Sequence, residues 1–318
     1  MLTFFCGVFM KYVEFGKDKK PVSKVILGLM RTSSMPVDAL SNLCNTALDS
    51  GINFFDTADC YANGGAEELL GRVFEANPSL RSKVFLQSKC GIRNEDGITW
   101  YDFSKEHIIN SVNASLSRLK TDHLDSLLLH RPDVLMEGEE IAEAFKVLYD
   151  SGKVLNFGFS NCNPSTLEFV SKYTPYKICA NQVQFSPCHT PMIDSIVQTN
   201  MKWDGSIMRD GGILEYCRLN DISVQAWSTM QYGFFEGVYL NNEKFPDLNR
   251  VIYLIAGEKQ VPASAVALAW ILRYPGKTQA VIGTTNLERI KESSKACDFE
   301  LSRKEWYEIY QAAGNRLP

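Results

Sequence analysis

The chain has 318 residues, 45% of them hydrophobic and 22% charged, with 33 Lys and Arg against 37 Asp and Glu for a net charge of −4. Those proportions exclude a disordered, collagenous or coiled-coil chain, and the slightly acidic balance provides no broad basic face, so nucleic acid is not an expected partner. A chain this long buries roughly 75% of its unfolded surface on folding and needs neither disulfides nor a metal to do so.

Nine cysteines, at 6, 44, 60, 90, 162, 179, 188, 217 and 297, form an odd, scattered set with no CxxC spacing. That usage suits a reducing cytoplasm and makes a poor disulfide or zinc framework. His107, His123 and His189 lack ligand spacing, so no metal is expected. The opening MLTFFCGVFM is apolar but lacks a basic start and a small-residue cleavage site. It reads as an N-terminal extension over 1–10, with Met10 an alternative start, rather than a signal peptide. No run reaches the roughly 18 apolar residues of a membrane span. The expectation is a soluble, cytoplasmic protein with no membrane partner.

In chain order, a β-branched run at 24–27 precedes helical spacing over 37–50, and 53–55 and 84–87 supply the second and third strands. A helix over 103–119 follows, with Ser104 as its N-cap and Glu106 in its first turn. Strand 126–129 leads to helix 139–149, strand 154–159 to helix 164–172, and strand 179–184 to a segment without clear period. Helix 211–219 precedes strand 222–226. Helices 246–258 and 262–272, each opened by a proline, both precede strand 280–282, and helix 286–294 follows it.

Eight strands with helical crossovers and no Gly/Ser-rich linker predict one closed (β/α)8 TIM barrel spanning 1–318 as a single domain. A doubly wound sheet is the competitor, and the lack of a GxGxxG after the first strand counts against it. The segment 186–212 is polar, carries Pro187, Pro191, Asp204-Gly205 and Gly211-Gly212, and shows little period. It is a long loop insertion after strand six, expected to wall or cover the site with Trp203 as an apolar contact. A barrel places its chemistry at the C-terminal strand ends. Asp56, Lys89, His130, Ser160-Asn161, Gln182, Trp227-Ser228 and Gly283-Thr284 stand there.

Six stretches, GINFFDTADCY (51–61), SKCG (88–91), LLLHRPD (127–133), GKVLNFGFSN (152–161), NQVQFSP (181–187) and VIGTTNLERI (281–290), resemble the aldo-keto reductases in family order. The resemblance runs from about Tyr12 to the C-terminus. It implies a catalytic tetrad of Asp56, Tyr61, Lys89 and His130, an NADP(H) cofactor and a small carbonyl substrate. The chemistry is reasonable for those residue types. A tyrosine of pKa ~10 is a poor acid at neutral pH, and a neighbouring ammonium, held by a carboxylate, pulls it down. The imidazole can orient the carbonyl oxygen by hydrogen bonding.

The same resemblance implies that Ser160, Asn161 and Gln182 hold the nicotinamide carboxamide and that Trp227 stacks on the ring. Ser228, Met230 and Gly233 would cover the pyrophosphate. Gly283, Thr284, Thr285 and Arg289 would receive the adenosine phosphate at a helix N-terminus, and Gly28, Met30 and Asp56 complete the cofactor set. Two positions depart from the family pattern: Ala62 stands where glycine usually follows the tyrosine, and Gly283 where a lysine often stands. The implied activity is reversible reduction of an aldehyde or ketone. Weighed beside it are a nucleotide-binding redox-sensing regulatory protein with little turnover, and a Schiff-base aldolase using Lys89.

Overall fold

Eight parallel strands follow one another around a closed barrel in chain order: β1 (Val25–Gly28), β2 (Phe54–Asp56), β3 (Phe85–Cys90), β4 (Ser126–Leu129), β5 (Phe157–Ser160), β6 (Ile178–Gln184), β7 (Ser223–Trp227) and β8 (Thr278–Ile282). β8 returns to β1 through Val281↔Ile26, which closes the ring. This computed structural model describes residues 11–318, and the expected N-terminal extension lies outside them. All eight predicted strands form, and the differences lie at their ends. β3 runs on to Cys90, so Lys89 sits within a strand. β5 begins only at Phe157, because Val154 makes no more than an isolated bridge to Leu124.

The outer layer contains the expected helices, including Val37–Asp49, Lys105–Leu119, Gly138–Asp150, Pro246–Lys259 and Ala263–Leu272. Ser104 caps the second of these, accepting from the His107 N–H. Several further helices were not predicted, the longest being Gly65–Ala76 and Arg303–Ala312. Gly65–Ala76 buries Ala66, Leu69, Leu70, Val73 and Phe74 on one face. It escaped because it starts without a side-chain cap, directly after three left-handed residues, Ala62, Asn63 and Gly64. Arg303–Ala312 carries a capping box, Ser302 with Glu305, which is a legible start signal.

A hairpin of Tyr12–Phe15 with Lys20–Ser23 closes one end of the barrel. Phe15, 1% exposed, meets Phe54 edge-on at 5.5 Å and Phe85 at 5.1 Å between ring centroids. A second hairpin, Ile92–Glu95 with Ile98–Tyr101, follows β3, and a short one, Gln231–Tyr232 with Gly237–Val238, follows β7. At Gly158 a Cβ would stand 2.6 Å from a Leu128 methyl and 2.7 Å from the Ala180 carbonyl. Only glycine lets β4, β5 and β6 approach this closely.

The insertion after β6 is more ordered than its polarity suggested. It holds a helix, Pro191–Val197, and a 3-10 turn, Asp204–Ser206. It is fastened to the C-terminal segment: Tyr310 donates to Asp194 Oδ1 at 2.6 Å, Gln198 to the Arg316 carbonyl at 3.1 Å, and Asn315 to the Pro187 carbonyl at 3.0 Å. Trp203 lies under the Arg316 guanidinium at 4.5 Å. Its observed partner is therefore the chain terminus. Among the described residues, no helix is long and apolar enough to cross a membrane.

Candidate active site

Asp56 ends β2, Lys89 lies near the end of β3, His130 follows β4, and Tyr61 sits in the turn after β2. Barrel closure brings all four together. The Lys89 ammonium is fully buried and has three acceptors: Asp56 Oδ2 at 2.7 Å, the Thr57 carbonyl at 2.9 Å and the Tyr61 hydroxyl at 3.2 Å. Three acceptors match the three N–H bonds of an ammonium, so none is left unpaired. Tyr61 uses a lone pair for Lys89 and keeps its own proton free to donate elsewhere. The Tyr61 and His130 rings meet edge-on, 5.7 Å between centroids.

The fields follow from burial and from the neighbouring charges. Burial alone would favour a neutral Lys89 amine, but Asp56, then Tyr61, outweigh it and hold the lysine above its ordinary range. Burial also pushes the Tyr61 phenol up, with Lys89 pulling the other way. The net direction is upward, which corrects the expectation of a lowered phenol: desolvation outweighs the ammonium. Burial, then Lys89 and Arg131, hold His130 well below its ordinary value, so the imidazole is neutral at neutral pH. Cys60 Sγ lies 3.5 Å from His130 Nδ1, and burial pushes that thiol up to about 12, so it keeps its proton.

A second group meets beside the tetrad. Asn161 Nδ2 donates to Ser160 Oγ at 2.8 Å and to the His130 carbonyl at 3.4 Å, while its Oδ1 accepts from Trp227 Nε1 at 3.0 Å. Asn161 has φ +59°, a left-handed geometry that asparagine tolerates better than most residues. Gln182 points its Nε2 at Asp56 Oδ1, 3.1 Å away. Ser228 donates to Gln231 Oε1, Met230 Sδ receives the Tyr239 hydroxyl, and the Gly233 carbonyl accepts from Gln184. Gly28 ends β1, where a Cβ would stand 2.8 Å from a Val281 methyl, and Met30 is exposed just beyond it.

Gly283, Thr284, Thr285 and Arg289 stand apart from the tetrad, at and before the helix Leu287–Ser294 that follows β8. Among the described residues a Cβ on Gly283 would meet nothing within 4 Å, which leaves the backbone there open to approach. Thr284 Oγ1 accepts from the Asn286 N–H at 3.2 Å, and Asn286 caps the helix. The Arg289 side chain is exposed, and among the described residues it has no carboxylate within 4 Å. An open backbone, hydroxyls, a helix N-terminus and an uncommitted guanidinium suit a phosphate group.

The family model described as aldo/keto reductase family matches residues 24–313. The chain belongs to the aldo/keto reductase family. It is 35% identical over 309 residues to a 6-dehydroglucose reductase of Agrobacterium fabrum, covering 93% of this chain and 96% of that protein. It is 33% identical over 298 residues to the oxidoreductase YdhF of Escherichia coli, covering 92% and 93%. Among solved structures, an aldo/keto reductase from Klebsiella pneumoniae in complex with NADP and acetate shares the fold with a TM-score of 0.75 at 23% identity over 97% of each chain.

In this aldo/keto reductase the site includes residues that sequence reasoning missed. Gln87 and Gln225, both fully buried, lie below the tetrad, and Gln87 donates to Asp56 Oδ1 at 2.7 Å. Their signal was legible: Gln87 is two residues before Lys89 and shares its strand face, an inward polar residue where barrels ordinarily place branched apolar ones. Arg131 holds its guanidinium 5.7 Å above the Trp227 ring. Phe234 and Phe235, both exposed, flank the same indole, Phe235 nearly parallel to it at 6.0 Å. Nothing in the local pattern pointed to these, because they reach Trp227 from a loop.

Proposed function

We propose that this aldo/keto reductase reduces an aldehyde or ketone to the alcohol with NADPH, reversibly. The observation that carries the reading is the buried Asp56–Lys89–Tyr61 chain beside a neutral imidazole at the C-terminal strand ends. When bound, the dihydronicotinamide would supply hydride to the carbonyl carbon. Everything else falls to the protein. Tyr61 gives its free proton to the carbonyl oxygen, and Lys89 stabilises the phenolate left behind. Asp56 holds Lys89 in place. Cys60, as thiol donor to Nδ1, favours the His130 tautomer with its proton on Nε2, the form that can donate to the developing oxyanion.

The remaining residues bind and orient. The Trp227 face, rimmed by Phe234, Phe235 and Arg131, offers a flat apolar surface for the nicotinamide. Ser160, Asn161 and Gln182 supply polar atoms for its carboxamide, with Gly28 and Met30 near the β1 end. Ser228, Met230 and Gly233 belong to the loop that would cover the pyrophosphate, and Gly283, Thr284, Thr285 and Arg289 would receive the 2′-phosphate. The small-carbonyl reading is supported by family membership and by a relative named 6-dehydroglucose reductase.

The test is NADPH oxidation against a panel of aldehydes and ketones, with Tyr61→Phe as the decisive variant. Its loss should lower turnover roughly 10²–10⁴-fold, the usual contribution of a general acid, while the NADPH dissociation constant stays within two-fold. Near wild-type turnover in a folded Tyr61→Phe protein would overturn the proton-donor assignment. Tight NADPH binding with no turnover of any carbonyl would favour the regulatory alternative.

A further inference from the structure

Beneath the tetrad the barrel is filled with amides rather than with branched aliphatic side chains. Gln87 on β3, Gln182 on β6, Gln225 on β7 and Gln279 on β8 are each between 0% and 3% exposed. Strand register sets them at one level with the carboxylate: Asp56 faces Gln87, Gln182 faces Gln225, and Gln225 faces Gln279. Two amides converge on one oxygen, with Gln87 Nε2 at 2.7 Å and Gln182 Nε2 at 3.1 Å from Asp56 Oδ1. The other oxygen, Oδ2, is left to Lys89 at 2.7 Å.

Gln225 does not touch Asp56 but ties the two amides together. Its Oε1 accepts from Gln87 at 2.8 Å and from Gln182 at 3.1 Å, and its Nε2 donates to Gln87 and to Gln279, 3.3 Å each. Gln279 in turn donates to the Ser23 carbonyl at 2.9 Å, which anchors the array to the hairpin at the base of the barrel. A carboxylate is broadly free about its terminal torsion. Two donors on a single oxygen, themselves clamped by a third amide, remove that freedom.

We propose that Gln87 and Gln225 are positioning residues for carbonyl reduction. They fix the orientation of Asp56 so that Oδ2 faces Lys89, and thereby set how closely the ammonium approaches the Tyr61 hydroxyl. The inference rests on the tetrad reading above. Its physical content is a chain of three contacts: amide to carboxylate, carboxylate to ammonium, ammonium to phenol. Loosening the first weakens the last, and a phenol with less help from Lys89 is a weaker acid.

Gln87→Met keeps the volume and leaves every other amide of the array with a donor or acceptor. The expected result is a roughly ten-fold lower kcat, with the NADPH dissociation constant and the carbonyl KM within two-fold of wild type. The alkaline limb of kcat for reduction, where Tyr61 loses its proton, should move upward by about half a unit or more. Gln87→Glu should regain activity as pH falls, because only a protonated carboxyl can donate to Asp56. Gln225→Met, which touches no member of the tetrad, should lower kcat about three-fold and shift the limb in the same sense. It decides the matter if Gln87→Met does not fold. Wild-type kcat and an unmoved alkaline limb in the folded variants would overturn the proposal and leave the amides as barrel filling. Failure of the tetrad reading itself would show separately, as full activity in Tyr61→Phe.

Discussion

Lys89 is the residue on which the site turns. A lysine with no exposed surface is rare unless its charge is paired, and here Asp56, Tyr61 and the Thr57 carbonyl accept hydrogen bonds from all three of its N–H groups. Asp59, one turn of chain away from Tyr61, has the opposite fate. Among the described residues its Oδ1 is buried without a hydrogen-bond partner, and burial, reinforced by Glu67 and opposed by Arg118, pushes the carboxyl up to about 7. A free aspartate titrates near 3.9. Between about pH 4 and 7 the folded state therefore keeps a proton that the unfolded state releases, and stability falls as pH rises through that window. Above about 7 the loss is complete. Asp59→Asn should thus raise Tm little at pH 4, progressively more up to pH 7, and by a constant amount beyond. A thermal series at pH 4, 5.5, 7 and 8.5 checks this, and an equal gain at pH 4 and 8.5 would rule out titration of Asp59 as the cause.

At the scale of elements, β2, β3 and β4 bring Asp56, Lys89 and His130 to one end of the barrel, and the turn after β2 carries Tyr61. The turn after Tyr61 runs through Ala62, Asn63 and Gly64 with φ of +51°, +53° and +90°. Glycine would adopt the first of these without the strain that an alanine Cβ brings, so the departure at Ala62 has a conformational cost and no evident chemical one. The helix Leu287–Ser294 has the opposite design: Asn286 caps it, and Arg289 projects from its first turn without an acidic partner among the described residues. Arg289→Ala should weaken NADPH binding by about 1.5–3 kcal/mol, the usual worth of a charge-assisted hydrogen bond, and leave NADH affinity unchanged. Titration of both cofactors by Trp227 fluorescence reads this directly. Equal weakening of both would remove Arg289 from the 2′-phosphate and assign it a structural role.

For the whole molecule, barrel closure is the event that makes the site, and the hairpin at the base supports it. Phe15 fills the space between Phe54 and Phe85, two residues whose strands also carry Asp56 and Lys89. Phe15→Ala should cost about 3–5 kcal/mol, as expected for a buried aromatic truncated in a close-packed core. Urea unfolding would show it as a lower midpoint at unchanged m-value. A loss under about 1 kcal/mol would mean that the hairpin covers the barrel without stabilising it. The insertion after β6 and the C-terminal segment form a second long-range lock, through Asp194 with Tyr310 and Pro187 with Asn315.

The eight strands and most of the helices were legible because their signals are short-range: β-branched runs, helical spacing, and caps such as Ser104. Asp56, Lys89 and His130 were legible in the same way, each lying at or just past an apolar run, whereas Tyr61 lies beyond such a run and entered only through the family resemblance of its stretch. The amide array and the contacts at Trp227 belong to tertiary structure. A strand pattern shows that Gln87 faces inward, but only the register and closure of the barrel place it against Asp56 and Gln225, on strands far apart in sequence. The net direction of the Tyr61 phenol was likewise hidden. An ammonium nearby argues for lowering it, and burial, which exists only once the chain has folded around the site, argues more strongly the other way.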